Sequence, residues 1–320
     1  MILVTGGLGF IGLHAARALL DAGEDVVLTQ YHVPRMPDFI KDEVGKRAFV
    51  EQLDVTDHGR IVEIGQKYNI TGICHMVSPD AELSAAGYYR IVVDGLLGVL
   101  EAGRICEVKR VTIASSQTTY TGEREGPFRE DKPMRMAATN QGEAFKKSME
   151  ILSSYYTQRT GLNVVAMRIG GIYGPMYHSM GHLVSRVVHN AVNGTPLDRS
   201  GEAGRSVEGR GIFAGDGGDM CYAKDCGKGI ALLQTAENLQ HSCYNIGSGR
   251  FTSNGEMVAA VAKAAPGFKM ELKEGAGPSF RPNAYMDISR IKADTGYEPE
   301  YQIERAAQDY ADWLRAGNPQ

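Results

Sequence analysis

Short apolar runs alternate with longer amphipathic stretches through the first half of the chain. Six of these runs predict buried strands, at residues 2–4, 26–28, 48–50, 72–76, 110–114 and 164–168. The stretches between them have a helical period, so strand and helix alternate along the chain. This alternation predicts an α/β fold, a Rossmann-type doubly wound parallel sheet, whose ligands bind beyond the carboxyl ends of the strands.

The pattern changes after about residue 175. A helix is predicted over residues 183–192, and a segment rich in Gly, Arg and Glu over 199–218 has no period and predicts a long loop or lid. A strand at 243–246 and helices at 254–264 and 303–314 follow. We therefore expect a dinucleotide-binding domain at 1–175, completed by about 213–250, and a smaller, mostly carboxyl-terminal substrate-binding lobe formed by 176–212 and 251–320.

Composition narrows the class of protein. The chain is 43% hydrophobic and 22% charged with a formal charge of -4, which is ordinary for a globular enzyme and favours neither nucleic acid nor a membrane as partner. No basic leader and no apolar run of about 18 residues is present, so we expect neither a signal peptide nor a transmembrane helix. The five cysteines are widely spaced without a CxxC pair, which favours the reducing cytoplasm over a disulfide framework or zinc site. His182 and His189 lack carboxylate partners at metal-ligand spacing, so no metal is assigned.

One glycine-rich segment points to a cofactor. It directly follows the first strand and opens a helix, and it reads Thr5-Gly6-Gly7-Leu8-Gly9-Phe10-Ile11-Gly12. Glycine permits a tight turn and lets backbone N–H groups approach a diphosphate, which the positive end of the following helix stabilises. The segment therefore predicts an NAD or NADP site at the amino-terminal end of the chain.

These residues resemble the extended short-chain dehydrogenases/reductases, which include nucleotide-sugar epimerases and dehydratases and open with TGGxGFIG. Later segments resemble that family's landmarks in the same order, through nearly the whole chain. They are Asp54-Val55-Thr56-Asp57 for DxxD, His75-Met76-Val77-Ser78 for HLAA, Arg168 with Tyr173-Gly174-Pro175 for RxxxxYGP, and Tyr222-Ala223-Lys224-Asp225 and Asp287-Ile288-Ser289-Arg290 near the end.

The resemblance implies a set of cofactor contacts. They are Gly6, Gly9, Phe10, Ile11, Gln30, Asp54, Val55, Met76, Val77, Ser78, Lys146, Ile169 and Ile172. Gln30 ends the second strand, where an acidic residue would bind the ribose of NAD and repel a 2′-phosphate, and glutamine serves either cofactor. His32 and Arg35 are either phosphate contacts or solvated loop residues. We expect NAD because most members of the family use it, and NADP remains an alternative.

The family's catalysis uses Ser or Thr, Tyr and Lys, and the resemblance supplies only part of this set. Ser116 matches the serine, with Thr118 as a second candidate, and Lys146 followed by Glu150 resembles the YxxxKxxxE helix. The position four before Lys146, where the tyrosine belongs, is Gly142. Glycine cannot donate a proton, so the family's activity does not carry over unchanged.

Three explanations for Gly142 stay open: another group supplies the acid, the reaction needs no such proton, or the fold only binds. Glu143, Tyr120, Tyr173 and Tyr177 are substitutes by chain position alone, and the family keeps tyrosines for packing at the positions of Tyr120 and Tyr173. The space at Gly142 could also admit a water or part of the substrate. A further departure is Val92-Val93-Asp94-Gly95, which has Val92 where the family's NVxG pattern usually has an Asn.

The expected substrate is a sugar-like molecule, a polyol or another small molecule with a hydroxyl or carbonyl centre, bound by Ser116, Gly142, Tyr177 and Arg281. Gln117 and Thr118 stand where 4,6-dehydratases carry an acidic pair, which disfavours that reaction. Gly218 replaces an arginine that commonly holds phosphate in nucleotide-sugar enzymes. The glycine-rich segment contains three further arginines that could contact an anion, although the pattern favours solvated loop residues. They are Arg199, Arg205 and Arg210.

The leading hypothesis is an NAD(P)-dependent oxidoreductase or epimerase that works by hydride transfer. The alternatives are an NAD-assisted lyase or isomerase and a non-catalytic NAD(P)-binding regulatory protein. The resemblance also implies a homodimer formed through the two helices that follow the fourth and fifth strands.

Overall fold

The computed structural model describes residues 1–31, 36–79, 82–195, 197, 211–278 and 280–318. The strands in these ranges are β1 (Ile2–Thr5), β2 (Val26–Gln30), β3 (Ala48–Gln52), β4 (Gly72–His75), β5 (Arg110–Ser116), β6 (Val164–Ile169), β7 (Ile172–Tyr173), β8 (Gly217–Gly218), β9 (Cys221–Tyr222), β10 (Cys243–Ile246) and β11 (Thr252–Ser253).

The helices in the same ranges are α1 (Phe10–Asp21), α2 (Asp38–Lys41), α3 (His58–Lys67), α4 (Ala85–Ile105), α5 (Gln141–Thr160), α6 (Leu183–Asn193), α7 (Ala223–Thr235), α8 (Asn254–Ala264), α9 (Ser289–Thr295) and α10 (Ile303–Arg315). A 3₁₀ turn, η1 (Gln117–Tyr120), directly follows β5. No helix within the described ranges is both long and apolar enough to cross a membrane.

The central sheet has seven parallel strands in the order β10-β6-β5-β4-β1-β2-β3. This confirms the predicted Rossmann-type fold, including all six strands of the first half and the strand at 243–246. The chain moves outward from β1 to β2 and β3, then returns to place β4 on the other side of β1. Such a reversal opens a crevice at the carboxyl ends of β1 and β4, where ligands bind in folds of this kind.

Helices cover both faces of the sheet, which is why the strands are almost continuously apolar. Neighbouring residues of β1 show the division, because Leu3 and Val4 are both fully buried but belong to different hydrophobic clusters. Val4 packs with α1 and α7 on one face, and Leu3 packs with α3, α4 and α5 on the other. The sheet therefore has two cores, one on each face, and its carboxyl edge lies between them.

A third cluster lies outside the sheet and is built from α6, α8 and α10, whose residue ranges correspond to the three helices predicted after residue 182. Helix α9 instead packs against β10 and α7, beside the sheet. The predicted loop over 199–218 lies outside the described residues up to 210, and its end forms β8, which pairs with β11 in antiparallel fashion.

Candidate active site

The turn between β1 and α1 is packed too tightly for side chains. Gly6 has a φ of +71°, and a Cβ there would lie 3.1 Å from the backbone of Met76. A Cβ on Gly12 would lie 2.3 Å from the carbonyl oxygen of Gly6. The N–H of Gly6 donates to Thr29 Oγ1 at 3.0 Å, which holds the turn against β2. Glycine at these positions therefore brings bare backbone to the crevice.

The amino end of α1 faces the crevice without a side-chain cap. Gly9 is the N-cap residue and makes no side-chain capping hydrogen bond. The first N–H groups of a helix, including those of Phe10 and Ile11, have no carbonyl partner within it, and the helix dipole places partial positive charge there. The turn and the helix start together fit the diphosphate of a dinucleotide.

The candidates for the adenosine side lie at the carboxyl ends of β2 and β3. Gln30 is the half-buried last residue of β2. Asp54 Oδ1 accepts hydrogen bonds from the N–H of Thr56 at 2.9 Å and from its Oγ1 at 2.8 Å. Val55 is buried against α4, where Gly95 allows close approach, since a Cβ there would lie 2.7 Å from Val55 Cγ1. His32 and Arg35 lie outside the described residues.

The segment after β4 forms the next part of the crevice. The N–H of Met76 donates to the carbonyl oxygen of Thr5 at 2.9 Å, so this segment continues alongside the glycine turn. Met76 is buried, Val77 is half-buried and Ser78 is exposed. The three predicted cofactor contacts therefore run from the core outward.

Ser116 is the last residue of β5 and starts η1. Its Oγ accepts a hydrogen bond from the N–H of Thr118 at 3.1 Å. The Oγ1 of Thr118 is buried and finds no hydrogen-bond partner within the described part of the chain. Ser116 is in register with Ile169 at the end of β6, and Ile172 begins β7 a few residues later. These candidates share one sheet edge.

Lys146 reaches the same edge from α5. Its Nζ donates to the carbonyl oxygen of Ala114 at 2.5 Å, two residues before Ser116. Burial lowers the pKa of Lys146 to about 8. Burial, and then the charge of Lys146, lowers the pKa of the neighbouring His75 to about 3, so His75 is neutral. Nothing in the sequence pattern indicates that Lys146 and His75 are close enough to interact electrostatically.

Gly142 lies one helical turn before Lys146, in the first turn of α5. A Cβ there would have Asn140 Oδ1 as its nearest neighbour, at 3.5 Å, which is an ordinary van der Waals distance. The φ of Gly142 is not among the positive values of the chain. Neither packing nor backbone conformation therefore demands glycine, and the space beside it is open.

Glu143 is unsuited to the acid role predicted for it. The side chain is fully buried, and its Oε2 accepts from the N–H and Oγ1 of Thr139, each at 2.9 Å. Its Oε1 accepts from Lys147 Nζ at 2.6 Å. Burial raises the pKa of Glu143, but the hydrogen bonds from Lys147 and Thr139 outweigh it and leave the pKa lowered. The four-residue spacing of Glu143 and Lys147 is a helical ion-pair signal that the sequence already contained.

The other proposed substitutes for the missing tyrosine differ in accessibility. Tyr120 is buried, and its Oη accepts a hydrogen bond from Arg168 Nη1 at 2.9 Å. Tyr173 is completely buried. Both positions therefore serve packing here as well. Tyr177 is half-buried and stacks on Phe10 of the glycine turn, with ring centroids 4.8 Å apart.

A buried ion pair fixes α5 to the sheet. Arg168 Nε donates to Glu150 Oε1 at 3.0 Å, and Nη2 donates to Oε2 at 2.8 Å. The Oγ of Ser115 also donates to Glu150. Glu150 and Lys146 are four residues apart on α5, and both hold the end of β5, so this network positions Lys146. The sequence analysis identified Glu150 and Arg168 in separate motifs, and it did not predict the ion pair between them.

The guanidinium carbon of Arg281 lies 5.3 Å from the ring centroid of Phe128. Among the described residues, no three His, Cys, Asp or Glu side chains gather as a metal site requires, and all five cysteines are free. Arg199, Arg205 and Arg210 lie outside the described ranges.

A doubly wound sheet with a glycine turn, an uncapped helix and a Ser116–Lys146 pair along one edge defines a dinucleotide-dependent α/β enzyme. The chain belongs to the NAD dependent epimerase/dehydratase family, whose model matches residues 2–247. This membership confirms the resemblance to extended short-chain dehydrogenases/reductases, the expectation of an enzyme and the expectation of NAD as cofactor.

Individual relatives span the whole chain. The UDP-glucose 4-epimerase of Lacticaseibacillus casei is 25% identical over 329 residues, which are 98% of this chain and 96% of the relative. The crystal structure of UDP-glucose 4-epimerase from Thermotoga maritima, with UDP-glucose, superposes with a TM-score of 0.79 at 19% identity and covers 99% of both chains. The crystal structure of UDP-glucuronic acid 4-epimerase from Bacillus cereus, in complex with NAD, superposes with a TM-score of 0.78 at 21% identity. The match covers 98% of this chain and 96% of that one. These structures share the fold of this chain.

Proposed function

We propose that the protein is an NAD-dependent oxidoreductase or epimerase that acts on a hydroxyl- or carbonyl-bearing carbon of a sugar-like small molecule. The observation that carries this proposal is the placement of Ser116 and Lys146 on the same sheet edge as the glycine turn. Relatives named for UDP-sugars make a nucleotide sugar the first class of substrate to test. Gly218, which replaces an arginine, keeps smaller sugar acids and polyols in the test set.

The chain's own residues divide into a cofactor group and a substrate group. NAD, when bound, supplies the hydride acceptor and donor. The N–H groups at the start of α1 would bind its diphosphate, and Lys146 would donate to its nicotinamide ribose. The predicted contacts at the carboxyl ends of β2, β3, β4 and β6, together with Ile172 at the start of β7, would complete this groove. Ser116 would donate a hydrogen bond to the reacting substrate oxygen, with Thr118, Tyr177 and Arg281 around the substrate.

We also propose a domain division, a dimer interface and a cellular location for this protein. The sheet with its helices would form the dinucleotide domain, and α6, α8 and α10 the core of the substrate lobe. Helices α4 and α5 pack side by side and expose apolar side chains, among them Tyr89 and Tyr155 at 50% and 62% exposure, which supports a homodimer through these helices. Five free cysteines support a reducing, cytoplasmic location.

The test is turnover with defined substrates. Purified protein is mixed with NAD and with UDP-glucose, UDP-galactose, UDP-glucuronic acid or simple polyols, with NADH absorbance and sugar products measured. We expect turnover with at least one substrate and its loss in Lys146→Ala. NAD binding without any turnover would support the regulatory alternative, and release of water or another fragment would support the lyase alternative.

Replacing Gly142 tests the open space. If the protein is a dehydrogenase that has lost its tyrosine, Gly142→Tyr raises the rate. If the space admits substrate, Gly142→Tyr abolishes turnover. Gly142→Phe is the matched control, because it adds the same ring without the hydroxyl and separates filling of the space from restoration of an acid.

A further inference from the structure

Gly142 and Lys146 lie on one face of α5, one helical turn apart. We propose that Lys146 Nζ itself exchanges the proton with the substrate oxygen, through the space that Gly142 leaves open. This assignment rests on the proposed function, because the proton exchange accompanies hydride transfer. It makes Lys146 a catalytic residue in addition to a cofactor contact.

The hydrogen bonding of Lys146 leaves Nζ available. Nζ donates to the carbonyl oxygen of Ala114 at 2.5 Å, and among the described residues no carboxylate forms an ion pair with it. An ammonium group has three donors, so two remain for substrate and cofactor. The neighbouring Lys147 is different, because Nζ donates to Glu143 and to two backbone carbonyl oxygens at 2.6–2.8 Å. Of these two lysines, Lys146 can exchange a proton in the crevice.

The surroundings of Lys146 also favour proton exchange. Burial disfavours its charged form and lowers its pKa to about 8, so both forms are present near neutral pH. Within the described residues, four titratable groups near this part of α5 are either neutral or hydrogen-bonded to another side chain. They are His75 at the end of β4, Tyr88 on α4 hydrogen-bonded with Ser78, Tyr120 on η1 bonded to Arg168 on β6, and Glu150 on α5 paired with Arg168. Helix α4 also carries Tyr89, which packs against Phe145, and Arg90, which pairs with Asp94.

The step balances with the groups named. In oxidation, the lone pair of neutral Nζ takes the proton of the substrate hydroxyl, the O–H electrons form the C=O bond, and the hydride of that carbon is taken up by NAD. In reduction, the protonated Nζ returns the proton to the carbonyl oxygen as the hydride returns to carbon. An epimerase uses both directions in turn, and a net oxidation releases the proton from Nζ to solvent.

The first experiment uses Lys146→Arg, which keeps a positive charge and hydrogen-bond donors but has a pKa above about 12 and does not deprotonate. We expect turnover to fall by about 10²- to 10⁴-fold, the usual contribution of a general acid-base group. NAD binding, measured by calorimetry, should change by less than about threefold, since a lost charge-assisted hydrogen bond would change it by more. Turnover retained within tenfold would overturn the assignment.

A second variant separates proton exchange from positioning. In Gly142→Tyr/Lys146→Arg the tyrosine hydroxyl supplies an acid and the arginine supplies the positive charge. We expect this double variant to be at least tenfold faster than Lys146→Arg, and Gly142→Phe/Lys146→Arg to show no gain. Equal rates in the tyrosine and phenylalanine double variants would contradict the assignment.

A third measurement needs no substrate. The protein is labelled with trace acetic anhydride at pH 6 to 11, and acetylation of Lys146 is followed by mass spectrometry against free Nα-acetyl-lysine. We expect labelling of Lys146 to rise with a midpoint near 8, while the free standard rises near about 10.4. A midpoint at the standard's value would overturn the assignment even in an active enzyme. An inactive wild-type protein whose midpoint is near 8 would instead count against the proposed function.

Discussion

The tight contact between α1 and the glycine turn predicts the effect of one added methyl group. In Gly12→Ala the new Cβ would lie 2.3 Å from the carbonyl oxygen of Gly6 and 2.9 Å from Gly7 Cα. Both neighbours are backbone atoms, so no side-chain rotation relieves the contact. Favourable separations of such atoms are about 3.5 Å or more, so α1 and the turn must separate by roughly 1 Å.

Two effects follow from this displacement. Overpacking of this kind costs about 1–3 kcal/mol of unfolding free energy. The shift also moves the N–H groups at the start of α1 away from the diphosphate that they would bind. Loss of one hydrogen bond to a charged group costs about 1.5–3 kcal/mol, which weakens NAD binding roughly 10- to 150-fold.

Urea unfolding and calorimetric NAD titration measure these effects separately. Gly59→Ala is the matched control, because Gly59 also lies in the first turn of a helix but its Cβ would come no nearer than 3.5 Å to Asp57 Oδ1. We expect the control to bind NAD as the wild type does. Gly12→Ala with wild-type stability and wild-type NAD affinity would refute the close-packing argument for this turn.

Two other predictions concern acid stability and assembly. Burial lowers the pKa of His14 to about 4, that of His75 to about 3 and that of His182 to about 4. Burial raises the pKa of Asp219 to about 6. Between about pH 6 and 5 unfolding therefore takes up nearly three protons at the histidines and releases up to one at Asp219, a net uptake of about two. The unfolding free energy should fall by about 2–3 kcal/mol per pH unit as the pH falls from 6.5 towards 4.5. Urea unfolding at pH 6.5 and 5.5 measures this, and a flat profile would contradict it. Tyr89→Asp and Tyr155→Asp should shift the protein from dimer to monomer in light scattering at micromolar concentration, whereas a wild-type monomer would exclude the proposed interface.

The sequence alone determined the fold class and the cofactor end of the molecule. The strands of the sheet were readable because helices cover both faces, so each strand is a short apolar run between helical periods. The glycine turn could be predicted because the residues that form it are contiguous, from Thr5 to Gly12. The spacing of Gly142 and Lys146 was equally visible, since four residues along a helix always share a face.

Only the tertiary structure decided how the side chains at the sheet edge are used. It paired Glu150 with Arg168, brought His75 beside Lys146, and removed Glu143 from the candidate acids by burying it with Lys147. It also showed that no packing constraint requires glycine at position 142. The physical reason is that hydrophobic periodicity reports which face of an element is buried. Hydrogen bonds and pKa values depend on distances to residues from other strands and helices, which the local pattern does not contain.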